Sequence, residues 1–274
     1  MPLTFTLKAT STVPLEVEGI TPDVLRDKTL AEIEKLPMFQ GNVKTCLAEF
    51  FTIQGNGGDE VVEWEGDLSG VHWIGTKMKS GKMILRGNGG RHIGSEMSGG
   101  EIHVLGNAGD WVGGEMHGGL IHVRGKAGHL IGSAYRGSAK GMTKGTILIG
   151  GDAGNEIGHS LRRGLIAIGG NIGDLAGFNM LAGTICLFGD SGIRHGAGMR
   201  RGTIAFLGGK MPPMLPSFRR ACRYQPDMLQ LVLRQLRQQE FAVPDEAFTS
   251  AYDLYNGDLI EGGRGEILLR VAAN

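Results

Sequence analysis

The tightest constraint on this chain is a glycine register that returns every 19 residues. A glycine closing a short apolar motif recurs at Gly75, Gly94, Gly113, Gly132, Gly158, Gly177 and Gly196, at intervals of 19, 19, 19, 26, 19 and 19. A second line follows six residues later at Gly81, Gly100, Gly119, Gly145, Gly164, Gly183 and Gly202, once seven inserted residues after Gly132 are allowed for. A third line runs through Gly87, Gly106, Gly125, Gly151, Gly170, Gly189 and Gly208, and a fourth through Gly90, Gly109, Gly128, Gly154, Gly173 and Gly192. Four registers held over six or seven cycles are not chance. They give a geometric reason for 48 glycines against nine prolines, with no triplet period of the collagen kind.

Between the second and third lines sits a five-residue stretch of period-two alternation, as in EIHVL, LIHVR, LIAIG and TICLF. Its inward positions are wholly apolar: Met83, Ile102, Ile121, Ile147, Ile166, Ile185 and Ile204, then Leu85, Val104, Val123, Ile149, Ile168, Leu187 and Phe206. Alternation within a coil and identity between coils predict an all-β fold, a right-handed parallel β-helix over residues 66–210 with 19-residue glycine-rich coils. Ladder spacing of about 4.8 Å makes seven coils a rod roughly 30 Å long. A further line, Met78, Met97, Met116, Met142, Leu161, Met180 and Met199, reads as flexible core filler rather than a metal or cofactor box. Ile74, Ile93, Val112, Ile131, Ile157 and Ala176 complete the buried set, and His195 breaks their line in the last coil. Asn88, Asn107, Asp152, Asn171 and Asp190, with Lys126 the exception, fit turn residues that cap their own backbone or accept a left-handed φ. Glycine at the remaining corners fits φ values that other residues resist.

A stack of coils exposes two ends, so caps are required. Residues 1–65 predict an N-terminal cap with irregular first coils: LTFTL as an edge strand, a short helix opened by Thr21-Pro22-Asp23, a second helix from Thr29 to Lys35, then FFTIQG and EVVEWEG as coils. Residues 211–274 predict a C-terminal extension with an amphipathic helix, PDMLQLVLRQLRQQEF, and a final strand, EILLRV. The outward face of the repeating strand carries Ile84, Leu105, Leu120, Leu148, Leu165, Ala167, Phe188, Ala205 and Leu207 with few charges, so something covers it: the C-terminal helix, a partner subunit, or both.

Charge narrows the partners. Lys plus Arg equals Asp plus Glu at 28 each, so no nucleic-acid or membrane partner is expected for the whole molecule, and any anion-binding surface is local. Cys46, Cys186 and Cys222 lack any C-x-x-C spacing, against both a disulfide framework and a zinc site. The start has no basic region followed by an apolar core, and no run approaches the 18 apolar residues of a membrane span, so the expected location is cytoplasmic.

No catalytic constellation emerges, and neither a catalytic nor a metal residue is assigned. His103 and His122 share an outward register, so their rings are expected to stack, but the register continues with Ile84, Leu148 and Cys186 and supplies no further ligands. His72, His92, His117, His129 and His159 read as solvent or interface residues, and Cys186 as a small half-buried side chain. Two features stand out. An insertion over residues 133–144, SAYRGSAKGMTK, bulges from one corner and brings Arg136 and Lys140. Beside it, a register four and five residues past the first glycine line holds Lys79, His117, Lys144, Arg162, Arg163, Arg200 and Arg201, which stacking lines into a basic ridge. The ridge fits a solvated edge that discourages sheet pairing, or a groove for an extended polyanion or acidic partner.

The cycle G-x2-M-x2-G-x5-G-x2-G, seen in GSEMSGGEIHVLGNAG and GGEMHGGLIHVRGKAG, resembles the glycine-rich β-helix shared by the C-terminal domain of the glutamate synthase large subunit and the C subunit of formylmethanofuran dehydrogenase. A lone chain of this size with a short lead and a helical tail is more similar to the dehydrogenase component, and the Arg- and Gln-rich tail points to the related formyltransferase/hydrolase complex of methylotrophic bacteria. The resemblance implies a hetero-oligomer with formylmethanofuran hydrolase-like, formyltransferase and dehydrogenase-B-like subunits. It implies transfer of a formyl group from tetrahydromethanopterin to methanofuran or methylofuran, and its release as formate. No cofactor is then bound catalytically in this chain, the metal sits in a partner subunit, and the carrier's polyglutamate tail makes Lys79, Arg136, Lys140, Lys144, Arg162, Arg163, Arg200 and Arg201 candidate cofactor-binding residues. An amidotransferase-associated scaffold of the glutamate synthase kind and a solenoid carbohydrate-active enzyme remain as other readings. The second needs clustered carboxylates, and Lys77 and Asn179 interrupt the register of Glu96 and Glu115.

Overall fold

The computed structural model describes residues 2–208 and 210–271. The strands are β1 (Leu3–Leu7), β2 (Leu15–Glu16), β3 (Pro37–Gln40), β4 (Val43–Cys46), β5 (Phe51–Gln54), β6 (Val61–Glu65), β7 (Val71–His72), β8 (Lys82–Leu85), β9 (Glu101–Val104), β10 (Leu120–Val123), β11 (Thr146–Ile149), β12 (Leu165–Ile168), β13 (Thr184–Leu187), β14 (Gly202–Phe206), β15 (Arg219–Tyr224), β16 (Tyr252–Gly257) and β17 (Gly265–Arg270). The helices are α1 (Pro22–Leu25), α2 (Leu30–Glu34), α3 (Leu47–Phe50), α4 (Asp227–Gln238) and α5 (Glu246–Thr249). Most of the ordered backbone is β, with thirteen strands in one sheet and β4, β3, β2 and β7 in a second.

The seven repeat strands β8 to β14 pair in parallel with equal positions opposite one another. Ile102, Ile121, Ile147, Ile166, Ile185 and Ile204 therefore form one column, every member buried. The coils also pair outside that sheet. Gly94, Gly113 and Gly132 donate to the carbonyls of Ile74, Ile93 and Val112 at 2.8 to 2.9 Å, and Gly109 and Gly128 to those of Gly90 and Gly109 at 3.0 and 3.1 Å. Each coil thus hands its backbone donors to its neighbour at several corners, which is why one coil has no stability alone.

The glycine lines have two different causes. Gly94 has φ +65°, the left-handed region. Gly106 does not; a Cβ there would lie 2.6 to 2.8 Å from Asn88 and the Gly87 carbonyl carbon of the preceding coil. The third and fourth lines are glycine because backbones approach too closely for a side chain, not because of φ as expected. The asparagine turns also differ from expectation. Their side chains cap the next coil: the N–H groups of Asn107, Lys126, Asn171, Asp190 and Lys210 donate to the side-chain oxygens of Asn88, Asn107, Asp152, Asn171 and Asp190 at 2.7 to 2.9 Å. Lys126 interrupts this ladder and reaches Asp152 through its ammonium at 2.7 Å instead.

At the N-terminal end, α1 and α2 lie where expected, and Thr29 and Glu32 cap α2 reciprocally. LTFTL is not an edge strand: β1 lies between β6, to which it is parallel, and β5, to which it is antiparallel. FFTIQG is consequently not a coil but the edge strand itself, held by Phe51 packing with Phe5 and Trp64. At the other end, β17 adds to β14 in parallel, so Ile267 extends the isoleucine column and Leu269 follows Phe206. The ribbon of β15 and β16 then closes this side antiparallel.

A second core lies on the outer face. Leu229, Leu233 and Leu236 of α4 bury against Leu148, Ala167, Cys186, Ala205 and Leu268, worth about 2 kcal/mol per leucine. Cys186 is fully rather than half buried for this reason, and its thiol is pushed up to about 12 by loss of solvent. The helix covers the C-terminal coils only, and Leu105 on the same face stays 47% exposed.

Candidate functional site

The basic register stacks as a ladder of its own. The N–H groups of Ser98, His117, Thr143, Arg162, Leu181 and Arg200 each donate to the carbonyl of the methionine-line residue one coil earlier. That alignment sets the order of side chains, and the ridge is not continuous. Ser98 separates Lys79 from His117, and Leu181 and Ala182 separate Arg162 and Arg163 from Arg200 and Arg201. Arg200 is also engaged, 3.2 Å from Glu261. Lys144, Arg162 and Arg163 form the dense part, with Arg201 two coils beyond. Lys79, Lys144, Arg163 and Arg201 are exposed and Arg162 is half-buried. Among the described residues, Lys79, Lys144, Arg162, Arg163 and Arg201 enter no ion pair.

The insertion is anchored at both ends. Ser133 and Ala134 are buried where it leaves the coil, and Gly141 and Met142 are buried where it returns, with Met142 donating to the Gly132 carbonyl at 2.9 Å. Residues 136–140 stand clear between these anchors and carry Arg136 and Lys140 as exposed cations.

The anchor is a feature that the sequence reading missed. Trp73 and His92, in adjacent coils, stack at 3.9 Å with planes 4° apart; Trp111 continues the column, and Tyr135 of the insertion stacks on Trp111 at 4.7 Å. The signal was available, because Trp73, His92 and Trp111 all stand two residues before the first glycine line. All three adopt positive φ, between 62° and 66°, a conformation that bulky residues adopt at a cost. The Tyr135 hydroxyl donates to Ser95 Oγ at 2.7 Å, and the Tyr135 N–H to Glu115 Oε1 at 2.9 Å. Burial holds His92 down to about 4, with His72 adding repulsion, and pushes the Tyr135 hydroxyl up to about 12.

Three further histidines accept backbone N–H groups of a neighbouring coil. Nδ1 of half-buried His72 accepts the Arg91 N–H at 3.1 Å, and Nδ1 of His129, exposed as expected, accepts the Asn155 N–H at 2.9 Å. Buried His195 accepts the Ala176 N–H at 3.2 Å. His103 and His122 are opposite each other but do not stack: their centroids are 6.2 Å apart and tilted by 39°. His103 turns instead to Glu101 at 3.1 Å. Among the described residues no group of three or more His, Cys, Asp and Glu side chains is placed to hold a metal ion, and no helix is long and apolar enough to cross a membrane.

No protein-family model matches the chain. Curated relatives match locally. The C subunit of molybdenum-containing formylmethanofuran dehydrogenase 1 from Methanothermobacter marburgensis is 42% identical over 79 residues, 28% of this chain and 20% of that protein. The protein of the same name from Methanosarcina barkeri is 39% identical over 84 residues, 29% of this chain and 28% of its own length. The C subunit of tungsten-containing formylmethanofuran dehydrogenase 2 from Methanococcus maripaludis is 38% identical over 91 residues, 33% and 34% of the two chains. The chain spans about a fifth to a third of the length of the curated relatives it matches. Among solved structures, a chain of the formyltransferase/hydrolase complex FhcABCD from Methylorubrum extorquens, determined in complex with methylofuran, matches at 28% identity with a TM-score of 0.90, covering 98% of this chain and 100% of that one. On its glycine cycle, its local identities and its full-length structural likeness, the chain is similar to the C subunit of formylmethanofuran dehydrogenase and to a chain of the formyltransferase/hydrolase complex.

Proposed function

We propose that this chain is a non-catalytic scaffold subunit of a formyltransferase/hydrolase complex. In that complex the formyl group of formyl-tetrahydromethanopterin passes through formyl-methanofuran or formyl-methylofuran and leaves as formate. The observation that carries the reading is the end-to-end likeness to a chain of such a complex, covering 98% of this chain at a TM-score of 0.90. On this reading the molecule is a right-handed parallel β-helix at residues 66–210, capped by 1–65 and extended by 211–274. The stacked columns of isoleucine and glycine support that geometry. Its work is to hold formylmethanofuran hydrolase-like, formyltransferase and dehydrogenase-B-like subunits at fixed separation, which suits a rod whose coils are tied at several corners.

The basic register gives the scaffold a second task. Lys144, Arg162, Arg163 and Arg201, flanked by Arg136 and Lys140 of the insertion and by Lys79 and Arg200, are cations spaced along the coil axis at multiples of about 4.8 Å. That spacing fits the carboxylates of an extended polyglutamate arm, and charge, not shape, draws the arm along the ridge. Affinity purification of the tagged chain from its host, followed by mass spectrometry, is expected to return hydrolase-like and formyltransferase subunits in stoichiometric amounts. Recovery of an amidotransferase, or of the chain alone, overturns the scaffold assignment. Charge reversal at Arg162, Arg163, Arg200 and Arg201 is expected to lower carrier retention and turnover in the purified complex. Unchanged retention overturns the role of the ridge and leaves the scaffold reading standing.

A further inference from the structure

One cavity of this chain has no part in the scaffold or ridge arguments. It lies on the outer face of the sheet at the end of α4, has a volume of about 610 Å³, and is lined by His122, Arg124, Gly150, Gly169, Phe188 and residues 240–244. Its origin is visible in the repeat. Arg124, Gly150, Gly169 and Phe188 occupy the same outward position in four successive coils, so the two glycines leave a gap between a cation and an aromatic ring. The chain leaving α4 roofs the gap: Phe241 packs on Phe188 at 5.5 Å, and Glu240 pairs with Arg124 at 2.8 Å.

The occupant is indicated by His122. It is only 3% exposed, borders the cavity, and its ring makes no hydrogen bond to any described residue. Burial, with Arg124 and His103 adding repulsion, holds it down to about 4, so at neutral pH the ring carries one donor and one acceptor, both unused. Its nitrogens are not sealed from solvent but open onto the cavity, where they are available to a ligand, whereas the next coils fill the same column with Leu148, Ala167 and Cys186. We propose that this cavity is a binding site for a small planar aromatic acid: its ring lies over the Gly150 and Gly169 backbone against Phe188 and Phe241, its polar substituent meets His122, and its carboxylate takes Arg124 from Glu240. The Arg124 to Glu240 pair is exposed on both sides and yields readily to a better-placed anion. Nothing in this site depends on the scaffold reading.

The test is titration calorimetry of the full-length chain with 4-hydroxybenzoate, for which saturable binding with a Kd of about 0.1 to 1 mM is expected for a ligand of this size. His122→Leu and Arg124→Leu place in these columns residues that the repeat itself carries there, at Leu148 and Leu105, so the coils are kept. Each is expected to weaken binding by about tenfold or more. Benzoate and 4-hydroxybenzamide, titrated into the unaltered chain, are each expected to bind several-fold more weakly, one for want of the hydroxyl and the other of the charge. This arm stands whether or not the variants fold. Absence of saturable binding to the unaltered chain, equal affinity for the three probes, or equal affinity in well-folded variants overturns the proposal.

Discussion

Oη of Tyr135 lies 3.0 Å from Nδ1 of His92, across 43 residues of sequence. Because that hydroxyl gives its own proton to Ser95 Oγ, its oxygen accepts from His92, and the imidazole carries its proton on Nδ1. A single side chain thus ties the insertion to coils whose glycine anchors are Gly94 and Gly113. Tyr135→Phe removes these hydrogen bonds and keeps the ring on Trp111, whereas Tyr135→Ala removes both. The expected loss of stability is about 1 kcal/mol for the first and 3 kcal/mol or more, roughly, for the second. Trypsin cleavage after Arg136 and Lys140 is expected to quicken in the same order, and equal cleavage rates in all three proteins contradict the clamp.

Acid is expected to destabilise the fold. Burial depresses His92 and His122 to about 4, and His72 and His195 below their usual value, whereas an unfolded chain protonates each near 6.5. Between those values the unfolded state binds more protons than the native state, so stability falls as pH drops from about 6.5 toward 4. Denaturation midpoints across that window are expected to shift with a slope that His122→Leu reduces by about one proton, since that variant removes one of the four groups. The same variant is expected to be at least as stable as the parent at pH 7, because the imidazole makes no hydrogen bond to a described residue that the change would break, and Leu148 shows that leucine packs in this column.

The ladder of turn side chains predicts a stabilising substitution. Among the described residues of its column, Lys126 is the position that does not accept from the coil above. Lys126→Asn is expected to supply the Asp152 N–H with an acceptor, as His129 does for Asn155 one turn away. It forfeits an exposed ion pair worth between 0 and about 1 kcal/mol and gains a backbone hydrogen bond of about 1 kcal/mol. Asn107→Ala, by contrast, strips the Lys126 N–H of its partner and is expected to cost about 1 to 2 kcal/mol in urea unfolding.

Glycine positions separate by cause. At Gly170 a Cβ would lie 2.5 to 2.6 Å from Asp152 and Gly151 of the preceding coil, so Gly170→Ala has to push two coils apart and is expected to cost more than about 3 kcal/mol. At Gly137, on the exposed tip of the insertion with φ +88° and nothing within 4 Å, the same change meets only backbone strain of about 1 kcal/mol. Thermal unfolding of the two variants distinguishes them directly.

The repeat, its inward columns and the C-terminal helix are legible from the amino acids alone. A 19-residue period with two-residue alternation is a local pattern, and stacking identical coils turns a local pattern into a global one. The basic register is legible for the same reason, down to which coils lack a charge. Non-local contacts decided everything else. That β17 continues the column of Ile204 after a break of some sixty residues, that β1 sits inside the sheet, and that α4 stops short of Leu105 all depend on where the chain returns in space. No periodicity encodes a return path. The roles of His72, His129, Tyr135 and His122 likewise depend on which backbone or ring each one faces across a coil boundary, a choice made by packing rather than by residue type.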